Sequence, residues 1–452
     1  MTRIEISALL KKELVPALGC TGPTAYALAT ACCRPFLTAR PRHVVINVSP
    51  AFLKIGFGVA TPGTSKPGIP IAAAIGLVGG DYKLGLQVLK PCTPQDVEEA
   101  LALEASGIFQ VCSEPGITGV YIRAEVITDN EKVIAVVQHT HDGVSLIQVN
   151  DEVKFEAEIS QEVNVESDPA LLSMEDIFDY IKSVDPAEIE FLWDGYQMNI
   201  ALAEDGIKQS FGLATGRAFL REWWSGREGP NDLCENPLKY LPNSITERAK
   251  ILVAGASDAR MGGSRMPAMA AMGDGNQGIT ATIPVGVAAE LMGKSREDGI
   301  RALALSCLVL MYVKMRIGRT SAFCLCSIAS AAGVSAGVGY LKDMSEQQIK
   351  AAVKNVISPL CGMLCDGAKN ACALKMAIAT TTALSCVDLA ANDVECGFYD
   401  GVADETLEYT VGCITEIATR TANILDECMV KEIEKKTERK RLNDKKGEDL
   451  HG

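Results

Sequence analysis

Across residues 173–433 helix starts alternate with glycine stops, and no convincing period-2 apolar run interrupts them, so most of this chain has to be helix packed on helix. The residues available for that packing constrain it further. Of the 452 residues 48% are hydrophobic but only 5% aromatic, so a large core must be built mainly from Ala, Val, Ile, Leu and Gly. Residues 320–341 are the extreme case: 22 residues without a charge, long enough to span a bilayer, with Gly333 and Gly337 at the close-packing interval. They are mostly Ala, Ser, Gly and Cys, whose low apolar surface suits tight helix contacts inside a protein better than lipid. A buried helix is expected here, and no membrane partner.

The pattern before residue 173 is different. Residues 4–14 and 23–31 read as short helices, 43–48 as an extended run, and the Gly- and Pro-rich stretch 61–68 as a loop leading into a buried helix over 69–78. Residues 93–106 carry a helix start with Pro94 just inside it. Strands follow at 120–127 and 132–139, joined at Asp129-Asn130, and at 144–149. The expected fold class is α+β: a large all-helical domain and a smaller α/β domain carrying an antiparallel meander. The divisions expected are residues 1–83, an N-terminal segment packing with the helical domain; 84–168, the small α/β domain; 169–433, the helical domain; and 434–452, a charged tail. His139 and His141 alternate at a strand end and read as a solvated pair.

Charge and cysteine content narrow the function. A net charge of −14 argues against a nucleic-acid partner, which wants a basic face. The basic run at 435–441 is interleaved with acids and reads as a frayed helix end. The start Met1-Thr2-Arg3-Ile4-Glu5 has no positive-then-apolar leader, so a reducing cytoplasm is expected, where disulfides are rare. Yet there are 16 cysteines, ten of them between Cys307 and Cys428. Surplus thiols in such a compartment serve as small hydrophobes, metal ligands or catalytic groups.

Three segments are candidates for chemistry. In Cys365-Asp366-Gly367-Ala368-Lys369-Asn370-Ala371-Cys372 two thiols flank a turn that opens an apolar helix. Inside one straight helix they would stand about 10 Å apart along the axis. With Gly367 turning the chain and Asp366 capping the helix, they can come together beside a helix N-terminus, which favours an anionic, thiolate-bound centre. Cys324-Leu325-Cys326 lies about 40 residues earlier, across one amphipathic segment, and offers a third thiol. Three thiolates without a fourth leave one metal position open for Lewis-acid work; a cysteine-tolerant core is the alternative. Cys20, between Gly19 and Gly22 at a helix start, is either a stabilised thiolate acting as base or nucleophile, or a small capping residue. Gly273-Asp274-Gly275-Asn276-Gln277-Gly278 is either a structural turn or a loop whose backbone amides approach a small anion such as a carboxylate. It lacks the Lys-Ser/Thr of a phosphate loop.

Together these segments resemble the cysteine desulfidase (desulfhydrase) family, once catalogued as an uncharacterised group and itself similar to the iron–sulfur L-serine dehydratases. The matching features run from residue 16 to 376: Pro16-Ala17-Leu18-Gly19-Cys20-Thr21, the Gly275-Asn276-Gln277-Gly278 loop ending in Ile283-Pro284-Val285, Cys324 with Cys326, Cys365-Asp366-Gly367-Ala368-Lys369, and Cys372-Ala373-Leu374-Lys375. The resemblance implies breakdown of L-cysteine to pyruvate, ammonia and hydrogen sulfide with a 4Fe-4S cluster on three cysteines. By matching motif these are Cys365, Cys372 and Cys324, with Cys326 as the alternative to Cys324. It further implies Cys20 as the base that takes the Cα proton, and Thr21, Asn276, Gln277 and Lys369 as substrate-binding residues. Two departures stand out. Gly22 occupies the place where the family usually has Glu, beside the base, as in the serine dehydratases, and Leu325 stands where glycine is usual. A serine- or threonine-type dehydratase and a non-catalytic redox sensor are the competing expectations. A small amino-acid substrate and a homo-oligomer complete them.

Overall fold

The computed structural model describes residues 1–64, 66–117, 119–157, 172–226 and 229–448, with side chains through residue 439. The expected boundary at 168/169 and the last four residues of the tail lie outside the described residues. The fold is α+β, with a large helical body and a smaller sheet.

The helical body is organised around the helix Leu325–Leu341, which packs against Arg296–Ile317, Gly275–Leu291, Glu346–Leu360 and Cys372–Ala391. Its glycines explain how one helix serves four neighbours. A Cβ on Gly333 would sit 2.3 Å from the Ser306 carbonyl oxygen, and one on Gly337 2.8 Å from that of Ala302. The uncharged stretch is therefore the core helix of a helical body, as expected. The helix Cys372–Ala391 is also long and apolar enough to cross a membrane by length and composition; half of it is buried here. The C-terminal helix, Leu407–Glu448, runs well past residue 433, where the charged tail was expected to begin.

The strands in chain order are β1 (Leu14–Leu18), β2 (His43–Val48), β3 (Phe109–Ser113), β4 (Tyr121–Ile127), β5 (Lys132–Gln138), β6 (Val144–Val149), β7 (Glu152–Glu156) and β8 (Pro267–Ala271). β2 to β7 form one sheet in the order β3-β2-β4-β5-β6-β7, with β2 and β3 parallel and the rest an antiparallel meander. Alternation is clean in β2 and β4: Val44, Ile46, Val48, Ile122, Ala124 and Val126 are buried on one face. The helices Thr21–Cys33 and Ile69–Gly79 pack together and share that core. The first 83 residues thus divide between two cores, since the helix Arg3–Glu13 places Ile6, Leu9 and Leu10 in the helical body.

Four strands were not foreseen: β1, β3, β7 and β8. β8 pairs antiparallel with β1, from Leu14 opposite Ala271 to Leu18 opposite Pro267. Residues 268–271 are all buried, so no alternation marks them, and a short apolar run buried on every side reads the same as helix. This two-stranded ribbon ties the start of the chain to the segment leading into Gly275, and so joins the Cys20 turn to the Asn276 turn.

Candidate functional site

Where sheet and helical body meet lies a cavity of about 100 Å³. Cys20, Thr21, Lys54, His141, Arg260, Asp274, Asn276, Gln277, Cys324, Cys326, Cys365, Cys372 and Lys375 are among the residues that line it. A wider outer cavity of about 620 Å³ shares Ala51, Arg319, Thr320 and Ser321 with it.

Cys20 is the N-cap of the helix Thr21–Cys33. Gly19 before it has φ +66°, and any Cβ there would fall 2.2 Å from Pro62 Cγ, so conformation and space both demand glycine. The thiol is 3% exposed. Burial pushes its pKa up, opposed by the Arg260 guanidinium and the Gly22 amide, so the thiolate expected from the helix N-terminus is outweighed and the thiol form is favoured.

The other thiols are assembled by backbone pairing. The Cys324 amide donates to the Met363 carbonyl and the Cys365 amide to that of Ala322, both at 2.8 Å, with Phe323 bridged to Leu364. Gly367, at φ +86°, then turns the chain where a Cβ would meet the Lys54 carbonyl oxygen at 2.3 Å. Cys372 opens the next helix, and the Lys369 amide donates to its sulfur at 3.4 Å. Asp366 does not cap that helix; its carboxylate takes the Lys375 ammonium, and the N-cap is Ala371 without a side-chain bond. Cys324 is itself an N-cap. Its pKa is pushed down to about 6, chiefly by the neighbouring Cys326 thiol and secondarily by the Ser327 hydroxyl 3.3 Å away, while the Cys326 thiol, which donates to Asp274 Oδ2 at 3.8 Å, is pushed up. Burial raises the pKa of Cys365 and Cys372. Among the described residues no three His, Cys, Asp or Glu side chains are grouped closely enough for a single metal ion.

Asp274 caps the helix Gly275–Leu291, accepting from the amides of Asn276 at 2.8 Å and Gln277 at 3.4 Å. Those amides are thus occupied by a side chain instead of reaching toward an anion. The glycines of this turn make room for side chains: a Cβ on Gly273 would lie 2.8 Å from His141 Nδ1, and one on Gly275 2.3 Å from Arg260 Nε. Lys314, buried beneath, donates to the Met272 carbonyl at 3.0 Å, and its pKa is pushed down to about 8 by burial.

His141 corrects the reading of a solvated pair. β5 ends at Gln138 and His139 has φ +68°, which breaks the alternation; His139 lines the outer cavity, while His141 turns inward against the Phe52 ring at 5.5 Å. Burial pushes its pKa down to about 3, so the imidazole is neutral. His141 was thus singled out but given the wrong environment, and Arg260 did not stand out at all; Gly273 and Gly275, which make room for them, carry the only signal. Lys369 does not line the inner cavity. Its ammonium donates to the Lys54 carbonyl at 3.0 Å and lies 5.6 Å from the Phe57 ring centre.

Four buried polar atoms of the lining residues have no hydrogen-bond partner: His141 Nδ1, Arg260 Nη2, Asn276 Oδ1 and Gln277 Oε1. Unpartnered polar groups are costly in an interior, and four on one cavity mark a place where a polar ligand completes the bonding.

Comparison with known proteins identifies the scaffold. UPF0597 proteins of Clostridium tetani and Clostridium perfringens are 33% and 34% identical over 93% and 95% of this chain and 96% and 98% of their own lengths. The UPF0597 protein YhaM of Salmonella gallinarum is 34% identical over 93% of this chain and 94% of its own. Residues 83–431 match the profile described as serine dehydratase alpha chain. The chain belongs to the serine dehydratase alpha chain family.

Proposed function

We propose that this protein is an iron–sulfur-dependent lyase that breaks L-cysteine down to pyruvate, ammonia and hydrogen sulfide. The observation that carries the reading is the convergence of Cys324, Cys365 and Cys372 on the cavity that also holds Cys20 and the four unpartnered polar atoms. The donor set fits a cluster better than a single ion. Each thiolate of a 4Fe-4S centre binds a different iron, so its ligands stand farther apart than those of one ion. Cys324, whose amide is fixed on the Met363 carbonyl in the bridge that also carries Cys365, is preferred as the third ligand, with Cys326 as the alternative. When bound, the cluster supplies an open iron position as Lewis acid for the leaving group.

The protein's own residues account for the rest. Cys20, once deprotonated, takes the Cα proton; the electron pair moves to form the Cα–Cβ double bond as the Cβ–S bond breaks and sulfide leaves. The enamine tautomerises to the imine, and water then releases pyruvate and ammonia. No net oxidation occurs.

A second reading, dehydration of L-serine, is favoured by the family match and by Gly22 in place of the usual carboxylate. Protein isolated without air and supplied with L-cysteine and L-serine side by side separates them. Pyruvate with equimolar sulfide from cysteine, and at least about tenfold less pyruvate from serine, is the expected result, with Cys20→Ser inactive. Pyruvate mainly from serine would transfer the assignment to the dehydratase. A redox sensor would turn over neither and would not need the unpartnered polar atoms.

A further inference from the structure

Four cationic side chains line the inner cavity: Lys54, Arg260, Arg319 and Lys375. Three already have a carboxylate in hydrogen-bonding contact. Lys54 holds Asp426 at 2.6 Å, Arg319 holds Glu13 at 2.8 Å, and Lys375 holds Asp366. Arg260 differs. Its nearest paired carboxylate oxygen, Asp274 Oδ1, is 3.8 Å from Nη1, and its Nη2 is buried with no partner although the side chain is only 2% exposed. A buried guanidinium with an unused donor is unfavourable unless an acceptor completes it, and an anionic oxygen does so most strongly.

The surroundings show how this arginine is held. It projects from the last turn of the helix Ile245–Met261, and its Nε donates to the Gly19 carbonyl at 3.1 Å, one residue before Cys20. Gly275 lets it pass, because any Cβ there would collide with Nε. Within the same lining, Asn276 Oδ1 and Gln277 Oε1 are acceptors without donors. A fixed cation with a free donor and two free amide oxygens are complementary to a carboxylate and an ammonium group on one small molecule.

We infer that Arg260 is the residue that binds the substrate α-carboxylate, with the side-chain oxygens of Asn276 and Gln277 receiving the α-ammonium, so that the cavity selects free α-amino acids over amides, esters and peptides. This rests on the amino-acid lyase reading above. It makes the cavity selective at the end of the substrate that does not leave, and it places the Cα between Arg260 and the amides, beside Cys20.

The test is equilibrium binding by calorimetry to the full chain isolated without air, using L-alanine, which has no leaving group, and L-alaninamide, which has no carboxylate. Wild type is expected to bind L-alanine at least about tenfold tighter than the amide, and Arg260→Gln to bind the two within about twofold. Arg260→Gln keeping the wild-type preference would overturn the assignment while leaving the lyase reading intact. Should that variant fail to fold because the Gly19 carbonyl loses its donor, Arg260→Lys decides. It keeps the charge but not the fork, and is expected to weaken L-alanine about tenfold with the amide unchanged; unaltered L-alanine binding contradicts the proposal. Wild type that binds neither L-alanine nor L-serine would remove the amino-acid reading itself, and this inference with it.

Discussion

Asp258 carries a measurable consequence of burying a carboxyl group. It lies in the helix Ile245–Met261, where Oδ2 accepts from the Gly216 amide at 2.9 Å and Oδ1 is buried without a partner. Burial pushes its pKa up from 3.8 to about 6. The folded state therefore binds this proton more tightly than the unfolded chain, stability falls as pH rises from 3.8 to 6, and the cost is fully present at pH 7. That cost is at most about 3 kcal/mol. Asp258→Asn is expected to be the more stable protein at pH 7.5, by about 1 kcal/mol, with the difference shrinking toward pH 4 in thermal melts. An Asn variant less stable at pH 7.5 would show that the ionised carboxylate is favourable there.

Residue by residue, the thiols were legible because cysteine in excess is rare without a use. His141 was not, because a histidine two residues past a strand reads as solvated until the positive φ of His139 redirects the chain. Arg260 was hidden for a related reason. Every residue of its helix from 251 to 261 is buried, so charge there gives no amphipathic signal.

At the scale of elements, the sign of a glycine substitution depends on what faces it. In the helix Leu325–Leu341, Gly333 is pressed against the backbone of Arg296–Ile317, so Gly333→Ala is expected to cost about 2 kcal/mol or more. Gly412 in the helix Leu407–Glu448 has nothing within 4 Å of its Cβ position, so Gly412→Ala is expected to add about 0.5–1 kcal/mol through helix propensity. Chemical denaturation of both variants checks the contrast, and equal effects would mean that the close helix approach at Gly333 is not tight. Helix existence was readable from spacing, as with the amphipathic segment between Cys326 and Cys365 that forms Glu346–Leu360. β8 was not, because a strand with four successive residues buried loses its period. The turn between Cys365 and Cys372 was foreseen from Gly367, whereas the capping role given to Asp366 was taken by no side chain, since Lys375 holds that carboxylate.

The whole molecule places its site where two cores meet, and a buried ion pair joins elements far apart in the sequence there. Lys54, on the short helix Pro50–Gly56, meets Asp426 on the C-terminal helix, with side chains 2% and 12% exposed. Removing one partner leaves the other charge uncompensated, so Asp426→Ala is expected to destabilise by about 3 kcal/mol, while the double change Lys54→Met with Asp426→Leu recovers most of it. A single Asp426→Ala variant with an unchanged melting temperature would mean that water reaches Lys54. This arrangement was not legible, because residues 54 and 426 come together only through the packing of Leu407–Glu448 on Pro50–Gly56.

We propose that three thiols brought together from residues 324, 365 and 372 hold an iron–sulfur centre. The most direct test is iron and acid-labile sulfide per chain in protein purified without air, for wild type and for the serine variants of Cys324, Cys326, Cys365 and Cys372. About four irons and four sulfides are expected in wild type and in Cys326→Ser, with marked loss from each of the other three. Iron-free wild type after anaerobic reconstitution, or full iron in the Cys365→Ser and Cys372→Ser proteins, would contradict it.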